Sequence, residues 1–225
     1  MHRPLALHEE FMLLALSEDD GTVVASESIE VPLASAILAE LLLRRRIELD
    51  PGKPGKRIVR AIDTAPVDDP ILDDALRKIA ESKRDRPLTS WVETVSGSKD
   101  LKHRVAGRLA DRGILRADEG KVLLLFTRKT YPEIDPEPEQ RIIRRFRDAI
   151  FSDSEDVDPR DGVLIALARQ TGLLQKKFAA EELASRNDRL AAIADGALTA
   201  HAAKEVTEAM DTALFIAVMV PILFD

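Results

Sequence analysis

Residues 32–45, PLASAILAELLLRR, read as a strong helix. Pro32 suits its first turn, where a missing N–H would be unpaired anyway. Arg44, Arg45 and Arg46 close it, since cations in a last turn complement the helix dipole, and the triplet reads as a solvated end. Residues of 45% hydrophobic but only 4% aromatic character leave Leu, Ile, Val and Ala to fill the core, and helices bury these naturally. The 225 residues exceed the usual span of about 100 to 200 per domain, yet one helical core still serves them, so a single domain over 1–225 is expected.

Further segments fit this frame. Leu5, Leu7, Phe11, Leu14 and Leu16 recur at near-helical spacing until Glu18, Asp19, Asp20 and Gly21 form a turn, after which a short hairpin is expected. IELDPGKPGKRIVRAI reads as a second hairpin around a Pro and Gly turn. In APVDDPILDDALRKI, Asp69 can cap a helix with Pro70 in its first turn, and Asp73 and Asp74 lie near its start. Ser90 and Glu93 have capping-box spacing, and Trp91 points inward. A basic helix over 99–112 ends at Gly113, followed by a hairpin with Asp118, Glu119 and Gly120 at its turn. YPEIDPEPEQ and SDSEDVDP read as linkers on either side of the helix RIIRRFRDAIF, and the C-terminal third as fully helical.

Chemistry is conspicuous by its exclusions. With no cysteine, disulfides, thiolate metal sites and a cysteine nucleophile all drop out. GKPGKR lacks the glycine spacing and the Ser or Thr of a phosphate loop. His2, His8, His103 and His201 show no metal-ligand spacing, and SDSEDVDP lacks the ligand pattern of a calcium loop. No enzyme, cofactor or metal is expected. His8, Glu9 and Glu10 interrupt the first apolar stretch, which argues against a secretory signal and for a cytoplasmic chain. Apolar residues 213–224 fall short of the ~20 that a spanning helix needs and read as a buried helix. The net charge of −7 argues against nucleic acid as a partner.

One face stands out. Lys99 and Lys102, three apart near a helix start, can hold a phosphorylated headgroup, although an ordinary solvated face has the same composition. Leu123, Leu124, Leu125 and Phe126, followed by Arg128, Lys129 and Tyr131, have the makeup of a segment that enters a lipid interface, or of a buried strand.

In order along the chain, LALHEEFMLLAL, AELLLRRRIEL, DTAPVDDPILDDAL, SWVETVSG, RLADRGIL, VLLLF and VLIALARQTGLL resemble the Golgi phosphoprotein 3 family, peripheral membrane proteins that bind phosphatidylinositol 4-phosphate. The resemblance implies a mostly helical fold with an apolar hairpin that inserts into the membrane beside a basic pocket. It implies headgroup contacts from Lys99 and Lys102 and insertion of the hairpin ending at Leu123, Leu124, Leu125 and Phe126. The family pocket also uses a tryptophan and an arginine. Here those positions fall near Ala25 or Ser26 and at Ala34, and no Trp or Arg lies anywhere in residues 21–43. Only His2 and Arg3 precede the first helix, so coat binding through a basic tail is not expected.

The expected molecule is therefore mainly α, a single globular helical domain with short β-hairpins, one of them apolar and projecting. Its expected role is a cytoplasmic, peripherally membrane-associated adaptor for an anionic phospholipid headgroup, forming homo-oligomers to gain avidity. Two alternatives are a winged-helix-like nucleic-acid module, suggested by a basic helix before a hairpin, and a protein–protein scaffold that has lost lipid binding.

Overall fold

The computed structural model describes residues 3–17, 20–23, 29–50, 56–122 and 126–198. Expectations for the segment after Gly21 and for 213–224 thus fall largely or wholly outside the described residues, as do Ala25, Ser26, Leu123, Leu124 and Leu125. The fold is mainly helical with two short antiparallel hairpins, as the sequence leads one to expect.

Helix α1 (Leu7–Leu14) lies against α2 (Glu30–Leu43), which is buried on every side from Val31 to Leu42. A helix apolar all round can only be a central one, and α2 also meets α3 (Pro70–Ala80), α4 (Leu88–Ser96), α5 (Leu101–Asp111) and α7 (Pro159–Gln170). The outer helices are amphipathic. In α3, Ile71, Leu72, Ala75, Leu76 and Ile79 are buried, each worth roughly 1.5–3 kcal/mol for the larger side chains. Asp69 starts that helix as its sequence suggests, accepting from the Ile71 and Leu72 amides at 2.9 and 3.2 Å, with Pro70 next.

Strands β1 (Ile47–Leu49) and β2 (Val59–Ala61) pair antiparallel with Ile47 opposite Ala61. Strands β3 (Asp118–Val122) and β4 (Phe126–Thr130) form the second hairpin. After it come α6 (Glu137–Phe151), α7, and the shorter α8 (Leu174–Lys177), α9 (Ala180–Ser185) and α10 (Asn187–Ala194). The described helices share one buried apolar cluster, which includes Trp91.

Several local readings shift. Helix α4 starts at Leu88 after Pro87, so Ser90 lies inside it, its carbonyl accepting from the Thr94 hydroxyl, and there is no Ser90–Glu93 capping box. Asp118, Glu119 and Gly120 lie in β3, paired with Thr130, Lys129 and Arg128, and Val122 faces Phe126. The ladder thus runs past the polar residues that looked like a turn, because cross-strand bonds can form whatever the side chain. Glu137 to Gln140 belong to α6 rather than to a linker. Arg44 and Arg46 are not simply solvated either: Arg44 donates to Glu40 at 2.6 Å and Arg46 pairs with Asp63.

Helix α1 buries three polar residues, His8, Glu9 and Glu10. Buried charges need partners. Glu9 accepts from Arg112 at 2.9 Å and from the Ala6 amide at 2.9 Å, and Glu10 accepts from Arg145 at 2.9 Å. His8 is different: it is 0% exposed, neither ring nitrogen has a hydrogen bond among the described residues, and Asp69 Oδ2 stands 3.7 Å from Nε2. Burial holds its imidazole below the ordinary value of 6.5, outweighing the carboxylates of Asp69, Glu9 and Glu40, while Arg108 pushes the same way as burial. The unfolded chain therefore takes up this proton first, so the stability contributed by neutral His8 is present above pH 6.5 and is lost as pH falls below it. Urea unfolding between pH 7 and 5 should show a fall in stability that His8→Leu lacks, approaching ~1.4 kcal/mol per pH unit at its steepest. Parallel pH profiles for the two proteins would contradict the assignment.

Candidate functional site

The start of α5 is a tight corner. Asp100 has φ of 55°, in the left-handed region, and its side chain makes no capping hydrogen bond. The first amides of α5 thus have no side-chain oxygen to satisfy them, at the positive end of the helix dipole. Lys99 stands exposed in this corner and Lys102 in the first turn of the helix. The helix begins at Leu101 instead of at Lys99, because the left-handed backbone of Asp100 cannot continue it. The two lysines therefore approach the same helix end from different elements, not from one helical face.

Lys102 is not isolated. Its Nζ lies 3.5 Å from Glu30 Oε1 at the start of α2, with the lysine side chain 38% exposed. At such exposure the pair contributes at most about 1 kcal/mol. Next to it, His103 Nδ1 and the Tyr131 hydroxyl share a hydrogen bond of 2.8 Å. Partial burial, and then the charges of Lys102 and of Lys129 on β4, hold His103 below its usual value against the carboxylates of Asp100 and Glu30. The imidazole is thus neutral at physiological pH, and two ammonium groups from separate elements act on one ring.

In the β3–β4 hairpin Val122 pairs with Phe126, and residues 123–125 between them, most of the apolar run, lie outside the described residues. Ala34, where the resemblance would put an arginine, is 0% exposed inside α2 and offers a headgroup nothing.

Sequence reasoning singled out Lys99 and Lys102 but missed Glu30 and the roles of His103, Lys129 and Tyr131 beside them. One signal was present: Lys129 and Tyr131 are two apart at a strand end, which places them on one face. Nothing local ties Glu30 to Lys102.

A family model described as Golgi phosphoprotein 3 (GPP34) matches residues 7–213, which take in every element from α1 to α10. The chain belongs to the Golgi phosphoprotein 3 family. Vacuolar protein sorting-associated protein 74 of Schizosaccharomyces pombe is 29% identical over 172 residues, which is 68% of this chain and 50% of that protein. The chain spans about half the length of this curated relative. Among the described residues of this Golgi phosphoprotein 3 family member, no helix is long and apolar enough to cross a membrane. No group of three or more His, Asp or Glu side chains there could hold a metal ion.

Proposed function

We propose that this chain is a non-enzymatic peripheral membrane adaptor that reads a phosphatidylinositol 4-phosphate-like headgroup with Lys99 and Lys102. Leu123, Leu124, Leu125 and Phe126 enter the lipid beside it. The observation that carries this reading is the convergence of Lys102, Lys129 and His103 at the uncapped start of α5, next to a hairpin whose last described pair is Val122 with Phe126. Membership of the Golgi phosphoprotein 3 family supports it, as does a relative whose name ties that protein to vacuolar protein sorting.

The strength is modest. A lysine near an anionic surface contributes about 1 kcal/mol, and each Leu or Phe buried in lipid adds roughly 2 kcal/mol before ordering costs. Copies acting together would supply the remainder, so self-association belongs to the proposal. A second reading, a protein–protein scaffold with weakened lipid binding, is favoured by Glu30, which sets a negative charge 3.5 Å from Lys102.

Variants separate the two. Lys99→Ala combined with Lys102→Ala should remove most co-sedimentation with vesicles containing phosphatidylinositol 4-phosphate, roughly a 30-fold loss for two cations. Glu30→Gln should strengthen it several-fold. Equal pelleting of both variants and the wild type would refute the headgroup site and leave the scaffold.

A further inference from the structure

A cavity of about 260 Å³ opens between the residues leading into α1, the end of α5 and the first half of α6. Four arginines line it, Arg3, Arg112, Arg141 and Arg145, against two acidic residues, Glu10 and Asp135. We propose that this cavity binds the phosphate group of a small soluble phosphomonoester.

The arginines divide into held and available. Arg3 donates to the Asp68 and Val67 carbonyls at 2.6 Å each, and Arg112 donates to Glu9 at 2.9 Å and to the Arg3 carbonyl. These bonds fix two walls and leave part of each guanidinium over. Arg145 is oriented from behind by Asp161, 2.8 Å from Nε, and by Glu10, 2.9 Å from Nη2, while its Nη1 has no hydrogen bond among the described residues. Arg141, one turn earlier on the same face of α6, has among the described residues only an ion pair of 3.6 Å with Glu137, which Arg144 already engages at 2.7 Å. The Arg141 side chain is 57% exposed and lines the cavity, so its donors are open to a ligand.

The carboxylates are partly engaged. Glu10 accepts from Arg145 through Oε1 alone and Asp135 accepts from the Glu137 amide at 3.1 Å, and neither forms an ion pair with Arg141 among the described residues. Burial also pushes the Glu10 carboxyl up, against the pull of Arg145.

Chemistry then selects the ligand. A carboxylate has two oxygens and one charge, enough to saturate one guanidinium fork. A phosphate monoester has three acceptor oxygens and a charge near −2, which suits several converging guanidinium groups. Leu5 and Ile114 give the cavity an apolar side for the ester's body, and its volume, below the usual range of about 300 to 1,000 Å³ for ligand pockets, restricts that body to a few atoms.

Position separates this cavity from the lysine face. Tyr131 meets His103 in the first turn of α5, whereas the amides of Ile134 and Asp135 bond to Ile114 beyond its last turn. The chain after β4 therefore runs the length of α5, about 16 Å for eleven residues, with the hairpin toward one end and the cavity at the other. The cavity does not depend on the headgroup reading.

Titration calorimetry of the full chain with glycerol 3-phosphate and with inorganic phosphate, at ionic strength matched by chloride, tests it. Both should bind saturably, with Arg141→Gln at least fivefold weaker, Arg141→Lys intermediate, and Lys102→Ala unchanged. Co-sedimentation of Arg141→Gln with vesicles containing phosphatidylinositol 4-phosphate should match the wild type. No saturable heat beyond chloride, or equal affinity in Arg141→Gln, would overturn the site; loss of vesicle binding in Arg141→Gln would overturn the soluble ligand. Arg141 holds no buried partner, so unchanged thermal unfolding should accompany its variants.

Discussion

Gly21→Ala should lower the stability of the folded chain by about 3 kcal/mol or more, two costs adding at one residue. Gly21 has φ of 65°, a left-handed conformation that costs a residue with a Cβ roughly 1–2 kcal/mol. A Cβ there would also lie 2.2 Å from the Pro132 nitrogen and 2.3 Å from the Tyr131 carbonyl carbon. Both are backbone atoms and cannot rotate aside. The contact is close because Gly21 carbonyl accepts from the Tyr131 amide at 2.8 Å, joining the turn after α1 to the exit of β4. Parting them should also disturb the Tyr131–His103 bond beside Lys102, so weaker vesicle binding is expected with the lower urea midpoint. A midpoint within about 0.5 kcal/mol of wild type would show that this approach is not tight.

Glu40→Ala should cost as much or more, roughly 3–5 kcal/mol, the usual penalty for breaking a buried ion pair. Glu40 is 0% exposed in the last turn of the core helix α2. Its Oε2 accepts from the Leu7 amide at 2.8 Å and lies 3.0 Å from Arg160 Nη2, and its Oε1 accepts from Arg44 at 2.6 Å and from Arg160 Nη1 at 3.1 Å. One carboxylate thus joins α2 to the start of α1 and to α7, and its removal strands two guanidinium groups and a helix-start amide. Burial alone would raise this carboxyl, but Arg160, Arg44 and the Leu7 N–H outweigh it and hold it below the ordinary 4.5. Its stabilisation is therefore complete above pH 4.5 and is lost as pH falls below that value. Chemical denaturation at pH 7 should show the full loss in Glu40→Ala and a smaller one in Glu40→Gln, which keeps an acceptor. Equal stability of Glu40→Ala and wild type would mean that this junction carries nothing.

These two residues mark the boundary of what local pattern reveals. The helix of residues 32–45, the Asp69 cap, Trp91 in the core and the stop at Gly113 were all legible, because each depends on neighbours within a few positions. Glu40 sits in that same legible helix, and Arg44 is one turn away, yet its other partners, Leu7 and Arg160, are 33 and 120 residues distant. Gly21 reads as a turn glycine, while the reason it cannot be replaced lies at Pro132. The β3–β4 register was misplaced because polar residues within a strand look like a turn. Lys99 and Lys102 were visible as a pair of cations, but the corner at Asp100 that separates them depends on one backbone angle, and Glu30 and Lys129 join them only through tertiary folding. The arginine cavity draws on residues from 3 to 145 and has no sequence signature at all.

The central claim, that the lysine face and the apolar hairpin together bind a membrane, is tested most directly with the wild-type chain and three vesicle compositions. Phosphatidylcholine alone, phosphatidylcholine with phosphatidylserine, and phosphatidylcholine with phosphatidylinositol 4-phosphate at matched charge should pellet increasing fractions of the protein. Added salt should release much of it, because the cations are exposed and screened over about 8–10 Å. Protein that stays in the supernatant with all three compositions at low salt would contradict a membrane-binding role.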